Sequence, residues 1–203
     1  MAEKSFFSVL IPSEFGYLNN TDIKNQLTPI AGRYFKTNAF IYDNFSKSYK
    51  LLKEKNPDIK IIGVDADGSI LKTYHETGEI DPSEIHSYQI EGLGKNLIPS
   101  ALLFDRIDHF VRVNDEMSAY CTREIALKEA IMGGYTTGAV LQALRQYAHA
   151  NPFSENDLVV LIFPDHGSRY ITKVYSDKWM AEQGFVNNCV HNYDEVFKTE
   201  FIK

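Results

Sequence analysis

Cysteine is scarce in this sequence, and no long apolar run occurs. Only Cys121 and Cys189 are present among 203 residues, too few and too far apart for a disulfide framework or a cysteine zinc site. The apolar stretch at residues 6–11 is too short for a signal peptide and leads to no small-residue cleavage site. Nothing approaches the length of a membrane span. These absences favour a reducing, cytoplasmic home without a membrane segment.

An excess of basic residues is also missing. Lysine and arginine number 21 against 27 aspartates and glutamates, so the formal net charge is −6. A protein that binds nucleic acid or an anionic membrane usually carries a basic patch, so we expect neither partner. The 44% hydrophobic and 13% aromatic content indicates an ordinary folded domain rather than a disordered chain.

The composition changes near residue 45. Residues 1–45 hold nine Phe or Tyr residues but little periodicity, and we treat them as an aromatic-rich leader of unassigned structure. In this division residues 46–186 form the main domain and residues 187–203 a tail. Because nine large aromatics in water would favour aggregation, we expect the leader to pack onto apolar surface of the main domain.

Strand and helix patterns alternate through the main domain. Short apolar runs predict parallel strands near residues 59–65, 108–113 and 157–163, the last buried on both faces. Helical spacing predicts helices near residues 45–55, 115–130, 137–149 and 169–183, and residues 66–106 are expected to be rich in loops. The order indicates a three-layer α/β fold. Its ligands should gather at the carboxyl ends of strands, in the loops near 65–69 and 164–168.

One string rich in glycine and hydroxyl groups is the most informative, Gly133-Gly134-Tyr135-Thr136-Thr137-Gly138. Its glycines allow a tight turn, and its hydroxyls stand at the start of a helix, where backbone donors are unpaired. The plain interpretation is a helix cap made by Thr136 or Thr137. The string also matches a threonine version of a hydrolase nucleophile elbow, which requires a strand directly before it; a helix is predicted there instead.

Three other patterns carry less information. Glu91-Gly92-Leu93-Gly94 begins like a dinucleotide fingerprint but lacks its third glycine. Residues 165–168 contain Asp, His and Ser, but side chains so close on a turn rarely point at one another, which argues against a catalytic triad. His75 and His86 flank an acidic loop without the spacing of metal ligands, so we predict no metal site.

Five segments with characteristic strings follow one another along the main domain. They are residues 51–57 leading into 61–69, Glu91–Gly94 with Ile98-Pro99, 131–138, 163–170 and 176–180. In this order and spacing they resemble the C-terminal part of the fold-type-II pyridoxal-phosphate (PLP) enzymes, a family that includes cystathionine β-synthase and cysteine synthase. The resemblance implies an incomplete portion of the tryptophan-synthase-β-like fold, with a three-layer parallel sheet, and pyridoxal 5′-phosphate as cofactor.

The resemblance also implies roles for particular residues. In that family a hydroxyl at the position of Thr136 forms a hydrogen bond at the pyridine nitrogen of the cofactor. A neutral partner leaves this nitrogen largely unprotonated, which makes the ring a milder electron sink suited to β-elimination and β-replacement. The other implied positions are Gly134, Pro164 and Asp165 around the cofactor, and Glu91, Gly92 and Gly94 in a loop at the substrate entrance.

Three parts of the family's site do not occur in the sequence. They are the Schiff-base lysine in its Ser-x-Lys-x-Arg setting, the Thr-Ser-Gly-Asn-Thr-Gly loop for the substrate carboxylate, and the Gly-Thr-Gly-Gly-Thr phosphate loop. Residues 38–44 stand where the phosphate loop is expected, and their bulky side chains prevent several backbone donors from converging on a phosphate. We therefore predict that the chain holds no catalytic residue and is inactive alone.

Three interpretations of function stay open at this point. The first is a PLP-dependent β-replacement or β-elimination enzyme of cysteine biosynthesis or transsulfuration that lacks the half with the Schiff-base lysine and is inactive alone. The second is a non-catalytic assembly module that associates with such a half or forms a homo-oligomer, because an incomplete fold leaves apolar surface exposed. The third is a truncated reading frame without a selected function.

Overall fold

A computed structural model describes residues 8–11, 53–100, 102–155 and 157–185. Four strands and four helices lie wholly within these ranges. In chain order they are β1 (Ser8–Ile11), β2 (Lys60–Ala66), α1 (Leu71–Thr77), β3 (His109–Val113), α2 (Asp115–Glu129), α3 (Tyr135–Ala150), β4 (Val160–Leu161) and α4 (Asp177–Glu182). Short 3-10 turns lie at Pro82–Glu84, Phe104–Arg106 and Gly167–Tyr170.

The four strands form one parallel sheet in the order β3-β2-β1-β4. Strand β1 pairs with β2 from Ser8↔Lys60 to Ile11↔Gly63, and with β4 at Val9↔Val160 and Leu10↔Leu161. The sequence analysis predicted β2 and β3 but not β1, which lies in the aromatic-rich leader. Its four residues, a serine followed by three apolar residues, carry no local sign of their pairing partners, so a strand this short is identified only by its place in the sheet.

Apolar clusters cover both faces of the sheet. On one face Ile62, Val64 and Val113 pack with buried side chains of α2 and α3. On the other face Ile61 and Phe110 pack with Leu71 of α1. Successive residues of a strand point to opposite faces, so β2 supplies both clusters. The arrangement is the three-layer α/β fold that the sequence predicts.

Helices α2 and α3 cross at a short distance, and Gly138 makes this possible. A Cβ atom at Gly138 would overlap the carbonyl oxygen of Ser118 and the side chain of Thr122. Polar groups at the crossing pair with one another: the Ser118 hydroxyl donates to Gln142 Oε1 over 2.7 Å, and the Thr122 hydroxyl donates to the Ser118 carbonyl over 2.8 Å. The close approach therefore buries hydrogen-bonded side chains as well as apolar surface.

A buried ion pair also joins these two helices. Arg145 contacts both carboxylate oxygens of Glu124, over 2.6 and 3.0 Å, and Lys128 adds a third contact at 2.8 Å. Burial acts to raise the pKa of Glu124, but the hydrogen bonds from Arg145 and Lys128 outweigh it and hold the pKa below its usual value. The charged form of Glu124 is thus the form that the fold stabilises.

The predicted strand at residues 157–163 is wrong in length and in burial. Only Val160–Leu161 form a strand, and Leu158 is exposed while residues 159–163 are half-buried. Within the described residues β4 pairs with β1 alone, so it stands at the edge of the sheet. The continuous apolar run suggested a central position, but the run itself does not reveal how many neighbours the strand has.

The predicted helix at residues 169–183 is also wrong. A 3-10 turn ends at Tyr170, and α4 begins only at Asp177, after the N-cap Ser176 accepts a hydrogen bond from Trp179 N. Arg123 Nε donates to the Val174 carbonyl over 2.6 Å. This carbonyl is therefore bonded by a side chain of α2, and the chain turns there instead of continuing as a helix.

Helix α1 lies in the segment that was expected to consist of loops. Its first turn has no side-chain cap of its own, but Asp65 at the end of β2 accepts from Lys72 N over 2.8 Å. The helix ends at Gly78, whose backbone is left-handed at φ 76° and whose N–H bonds to the Tyr74 carbonyl. A carboxylate outside the helix thus supplies the cap, which the local sequence does not indicate.

Two other expectations extend beyond the described ranges. Of the helix predicted at residues 45–55, residues 53–55 are described and are helical. The packing of the leader aromatics and the tail at 187–203 lie outside the described residues, and the domain boundaries stay predictions. Among the helices that the structure describes, none has both the length and the apolar character needed to cross a bilayer.

Replacing Gly138 with Ala should destabilise the protein by about 1–3 kcal/mol, because the added methyl group overpacks the crossing of α2 and α3. Urea unfolding followed by circular dichroism measures this difference. Ala150→Ser, at the exposed end of the same helix, is the control and should change the free energy of unfolding by less than about 0.5 kcal/mol. Equal midpoints for the two variants would contradict the close approach.

Candidate functional site

Two loops that were predicted to border the site lie against each other. Gly134 N donates to the Asp165 carbonyl over 2.9 Å, and Gly167 N donates to the Met132 carbonyl over 2.8 Å. Gly133 and His166 form an isolated antiparallel bridge between the two segments. The turn before α3 and the loop after β4 therefore form one backbone unit.

The approach of the two loops is close enough to require glycine. A Cβ atom at Gly134 would overlap the carboxylate of Asp165, and one at Gly133 would overlap the side chain of Thr137. The Tyr175 hydroxyl donates to the Gly133 carbonyl over 2.6 Å and fixes the turn from the other side. Glycine is thus needed here for close packing, since neither residue has a positive φ.

The interpretation of Thr136 or Thr137 as a helix cap is wrong. Gly134 is the N-cap of α3, and no side chain caps this end. The Thr136 and Thr137 hydroxyl oxygens are both buried, and neither has a hydrogen-bond partner within the described residues. A buried hydroxyl without a partner costs about 1–3 kcal/mol relative to one that is bonded. Each is therefore a group that would gain free energy from a suitable ligand.

Asp165 adds a third buried polar atom without a partner. Its Oδ1 has no hydrogen-bond partner in the described part of the chain. Burial, together with a hydrogen bond to Asp165 and the negative charge of that carboxylate, raises the pKa of Tyr170. Tyr170 therefore stays protonated over the whole neutral range, beside a carboxylate that retains capacity to accept a hydrogen bond.

The loop at residues 89–96 lies beside the start of α3. A Cβ atom at Gly92 would lie 3.9 Å from Thr136 Cγ2, so Gly92 is next to the start of α3. Glu91 forms an ion pair with Lys173, on the turn that precedes α4. Gly94 packs against Ser69 and Tyr88 so closely that a Cβ there would overlap both.

Asp115 holds the beginning of this loop, a role that the sequence analysis missed. Its carboxylate accepts from Gln89 N over 2.8 Å and from Ile90 N over 3.2 Å. The Tyr135 hydroxyl donates to the Asp115 carbonyl over 2.7 Å, which joins the starts of α2 and α3. Burial raises the pKa of Asp115 even though these backbone hydrogen bonds act to lower it. In sequence Asp115 appeared only as a favourable charge in the first turn of a helix.

The structure brings several of the predicted site residues near one another in two pairs. Gly134 lies against Asp165, which Pro164 directly precedes, and Gly92 lies beside Thr136, two positions after Gly134. Gly94 lies further along the loop, against Ser69. Contact of these residues with a cofactor or substrate stays a prediction at this point.

Other candidates do not form reactive arrangements. His166 Nδ1 accepts from Ser168 N over 3.1 Å, so the imidazole caps a 3-10 turn. Burial raises the pKa of Cys121 to about 12, which leaves this thiol protonated and unreactive. In the ranges that the structure describes, no three His, Cys, Asp or Glu side chains are grouped as metal ligands would be.

The sequence profile of the family described as "Pyridoxal-phosphate dependent enzyme" matches residues 44–165, which include the α3 turn and Asp165. The chain belongs to this family. The match confirms the resemblance stated from the sequence strings.

Three relatives have 36% or 37% sequence identity to the chain. The chain is 36% identical over 131 residues to N-(2-amino-2-carboxyethyl)-L-glutamate synthase of Cupriavidus metallidurans, covering 64% of this chain and 36% of that protein. It is 36% identical over 135 residues to cystathionine beta-synthase of Mus musculus, covering 66% and 23%. For cysteine synthase of Helicobacter pylori the identity is 37% over 133 residues, covering 65% and 40%. The chain thus spans less than half the length of these relatives.

A solved structure agrees in fold. The crystal structure of O-ureido-L-serine synthase superposes with a TM-score of 0.54 at 19% identity, over 87% of this chain and 46% of that one. At this identity the likeness concerns the fold alone, and it confirms a fold-type-II portion with a small parallel sheet.

The described residues fit the ring end of PLP. Thr136 offers a buried hydroxyl without a partner, which can form a hydrogen bond with a pyridine nitrogen. Gly92 leaves open the space beside Thr136, and Gly134 lets the turn lie against Asp165. Residues 38–44, where the family carries its phosphate loop, lie outside the described ranges.

Replacing Asp115 with Ala should release the first residues of the 89–96 loop, because two backbone N–H groups lose a carboxylate acceptor. Hydrogen bonds to charged groups contribute about 1.5–3 kcal/mol, so amide exchange at Gln89 and Ile90 should accelerate at least about tenfold. Hydrogen exchange followed by NMR measures this. Glu116→Ala, which changes the adjacent charge, is the control; the same acceleration in both variants would show that Asp115 has no special role.

Proposed function

We propose that this chain provides the ring-binding, C-terminal part of a PLP-dependent enzyme that carries out β-replacement or β-elimination in cysteine biosynthesis or transsulfuration. The observation that supports this most is the buried Thr136 hydroxyl, which has no partner among the described residues and lies in the first turn of α3. Membership of the family and similarity to cystathionine beta-synthases and cysteine synthase support the reaction class.

Each residue of the site has a separate part in this proposal. Thr136 would hold PLP by a hydrogen bond at the pyridine nitrogen and, being neutral, would leave that nitrogen largely unprotonated. Bound there, PLP would supply a mild electron sink for eliminating and replacing a β-substituent. Asp165 and Gly134 keep the turn in position, while Pro164 stiffens the chain entering it. Glu91, Gly92 and Gly94 border the path by which a substrate reaches the ring.

Residues 1–203 are not sufficient for catalysis in this proposal. The family's Ser-x-Lys-x-Arg string does not occur in them, so no lysine stands in the setting that holds the cofactor covalently and moves the substrate proton. Lys53 and Lys173 are engaged in ion pairs with Asp108 and Glu91. A complementary N-terminal half, in a reducing cytoplasmic compartment, would supply the lysine together with the phosphate and carboxylate loops.

An assembly module is the second candidate function. The apolar residues 159–163 are only half-buried at the β4 edge, and Leu97, Leu127 and Ile171 are each more than half exposed. Surface of this kind favours association with another protein, either a complementary half or a second copy of the chain. The two candidates differ in one measurable respect, since only the first requires the Thr136 hydroxyl to contact a cofactor.

The Thr136→Val variant should bind PLP at least about tenfold more weakly than the unchanged chain, because the isosteric side chain cannot form the hydrogen bond. PLP titration followed by NMR shifts of the Gly134 and Thr136 amides measures the affinity. Thr137→Val is a closely matched control, since it removes the neighbouring buried hydroxyl. Loss of affinity in the control alone, or no shift at these amides with the unchanged chain, would refute the assignment.

The chain alone should show no turnover of O-acetylserine or serine with a thiol, and borohydride reduction with PLP should label several surface lysines partially rather than one completely. Adding a separately expressed N-terminal half of a related cysteine synthase, with its lysine, should produce turnover. Replacing that lysine with Ala in the added half is the control. Turnover by the chain alone, with a single fully labelled lysine, would contradict the proposal.

A further inference from the structure

The peptide group between Gly133 and Gly134, in the turn before α3, is bonded at both of its polar atoms. The Gly133 carbonyl accepts from the Tyr175 hydroxyl over 2.6 Å, and Gly134 N donates to the Asp165 carbonyl over 2.9 Å. We propose that Tyr175 is a positioning residue, which fixes the orientation of this peptide group and thereby the place of Thr136 in the ring site. The consequence for a cofactor rests on the function proposed above, whereas the fixed peptide group rests on the geometry.

A peptide group between two glycines is unusually free to rotate. Neither residue has a Cβ atom, so few backbone conformations are excluded on either side of it. The glycines cannot be replaced by stiffer residues, because a Cβ at Gly134 would overlap Asp165 and one at Gly133 would overlap Thr137. The turn therefore needs partners outside it to select one orientation, and rotation of the peptide group would break both of its hydrogen bonds.

Tyr175 is itself held in place by bonds to its own segment and to α2. Its backbone N–H donates to the Tyr170 carbonyl over 3.2 Å. The preceding residue, Val174, is completely buried, and its carbonyl accepts from Arg123 Nε over 2.6 Å. Arg123 also contacts Asp177 at the start of α4 over 2.6 Å. The Tyr175 hydroxyl is therefore presented by a fixed backbone, which has little conformational freedom to lose when the hydroxyl forms its hydrogen bond.

The ring and the hydroxyl of Tyr175 act on different residues. A Cβ atom at Gly167 would lie 2.7 Å from Tyr175 Cε2, so the ring covers the loop after β4. Burial and the negative charge of Asp165 raise the pKa of the Tyr175 hydroxyl. The hydroxyl therefore stays protonated at neutral pH and remains a donor to the Gly133 carbonyl. Removing the oxygen alone leaves the ring in place and tests the hydrogen bond by itself.

Thr136 lies two residues after this peptide group, in the first turn of α3. Its hydroxyl is buried without a partner in the part of the chain that the structure describes. Gly134 is the N-cap of α3, and its carbonyl accepts from Thr137 N over 3.0 Å, so a hydrogen bond joins the turn to the helix. A hydrogen bond to a ligand weakens steeply as its angle departs from linear. A small rotation of the turn would thus lower ligand affinity while the fold stays intact.

The Tyr175→Phe variant of the full chain tests the proposal in two measurements. Loss of the hydrogen bond should accelerate amide exchange at Gly134, followed by NMR, about three- to tenfold, and should weaken PLP binding by a similar factor. PLP affinity is obtained from the NMR shifts of the Thr136 amide during titration. Tyr74→Phe, the same change on α1 at the opposite face of the sheet, is the control and should alter either quantity by less than about twofold.

Combination with Thr136→Val separates positioning from a general loss of stability. If Tyr175 acts through Thr136, Tyr175→Phe should weaken PLP binding no further in the Thr136→Val background, whereas a merely structural role would weaken it equally in both backgrounds. Equal losses, or unchanged exchange at Gly134 in Tyr175→Phe, would overturn the inference.

The proposed function can fail separately. Loss of PLP affinity in Thr136→Val but not in Tyr175→Phe would refute the positioning role and leave the proposed function standing. Unchanged PLP affinity in Thr136→Val would refute the cofactor assignment, and the exchange rate at Gly134 would still decide whether Tyr175 fixes the peptide group.

Discussion

The contact between the two loops of the candidate site depends on the hydrogen bond from Gly134 N to the Asp165 carbonyl. It brings the start of α3 against the loop after β4, where only glycine leaves enough space. Once these backbones are joined, the Thr136 hydroxyl and Asp165 Oδ1 are buried without hydrogen-bond partners in the part of the chain that the structure describes. A side chain at position 134 would separate the two segments and open the enclosure, so one missing methyl group determines whether the site exists.

Polar groups around the site fall into two sets with different consequences. Asp115, Ser69 and the Tyr135 hydroxyl have their hydrogen bonds made within the protein, and they fix loops and helix starts. The hydroxyls of Thr136 and Thr137 are buried and lack such bonds among the described residues. The first set makes the scaffold rigid at no net cost, whereas the second is a local loss of stability that a bound molecule can recover.

Local patterns predicted the elements whose signals lie within the element itself. The helix predicted at residues 115–130 is one of them, and Asn114 directly before it accepts from Met117 N over 2.9 Å at the start of α2. Strands β2 and β3 likewise follow their β-branched runs. The errors have one cause, which is a partner outside the element itself. Asp65 caps α1, and Arg123 bonds the carbonyl of Val174 in the turn before α4. Strand β4 pairs with β1 at the edge of the sheet. None of these partners is adjacent in sequence.

In the candidate site, too, local strings were informative and contacts between distant residues were missed. Thr136, Gly134 and Asp165 were identified because their strings resemble a known family, whereas Asp115 and Ser69 were not, since each acts on residues about 26 positions away. No spacing rule connects an aspartate at a helix start with two amides in a distant loop. Hydrogen bonds of this kind become visible only in the folded chain.

The place of β1 in the sheet has a consequence for how the chain acquires its structure. β1 lies between β2 and β4, and its partner Val160 is separated from Val9 by about 150 residues. During synthesis the first strand emerges long before the last one exists, so the sheet cannot close until nearly the whole chain is available. Bringing such distant segments together costs chain entropy before their contacts form, and this cost slows folding. Through that interval the unpaired edges of β1 and β2 are open to pairing with strands of other molecules.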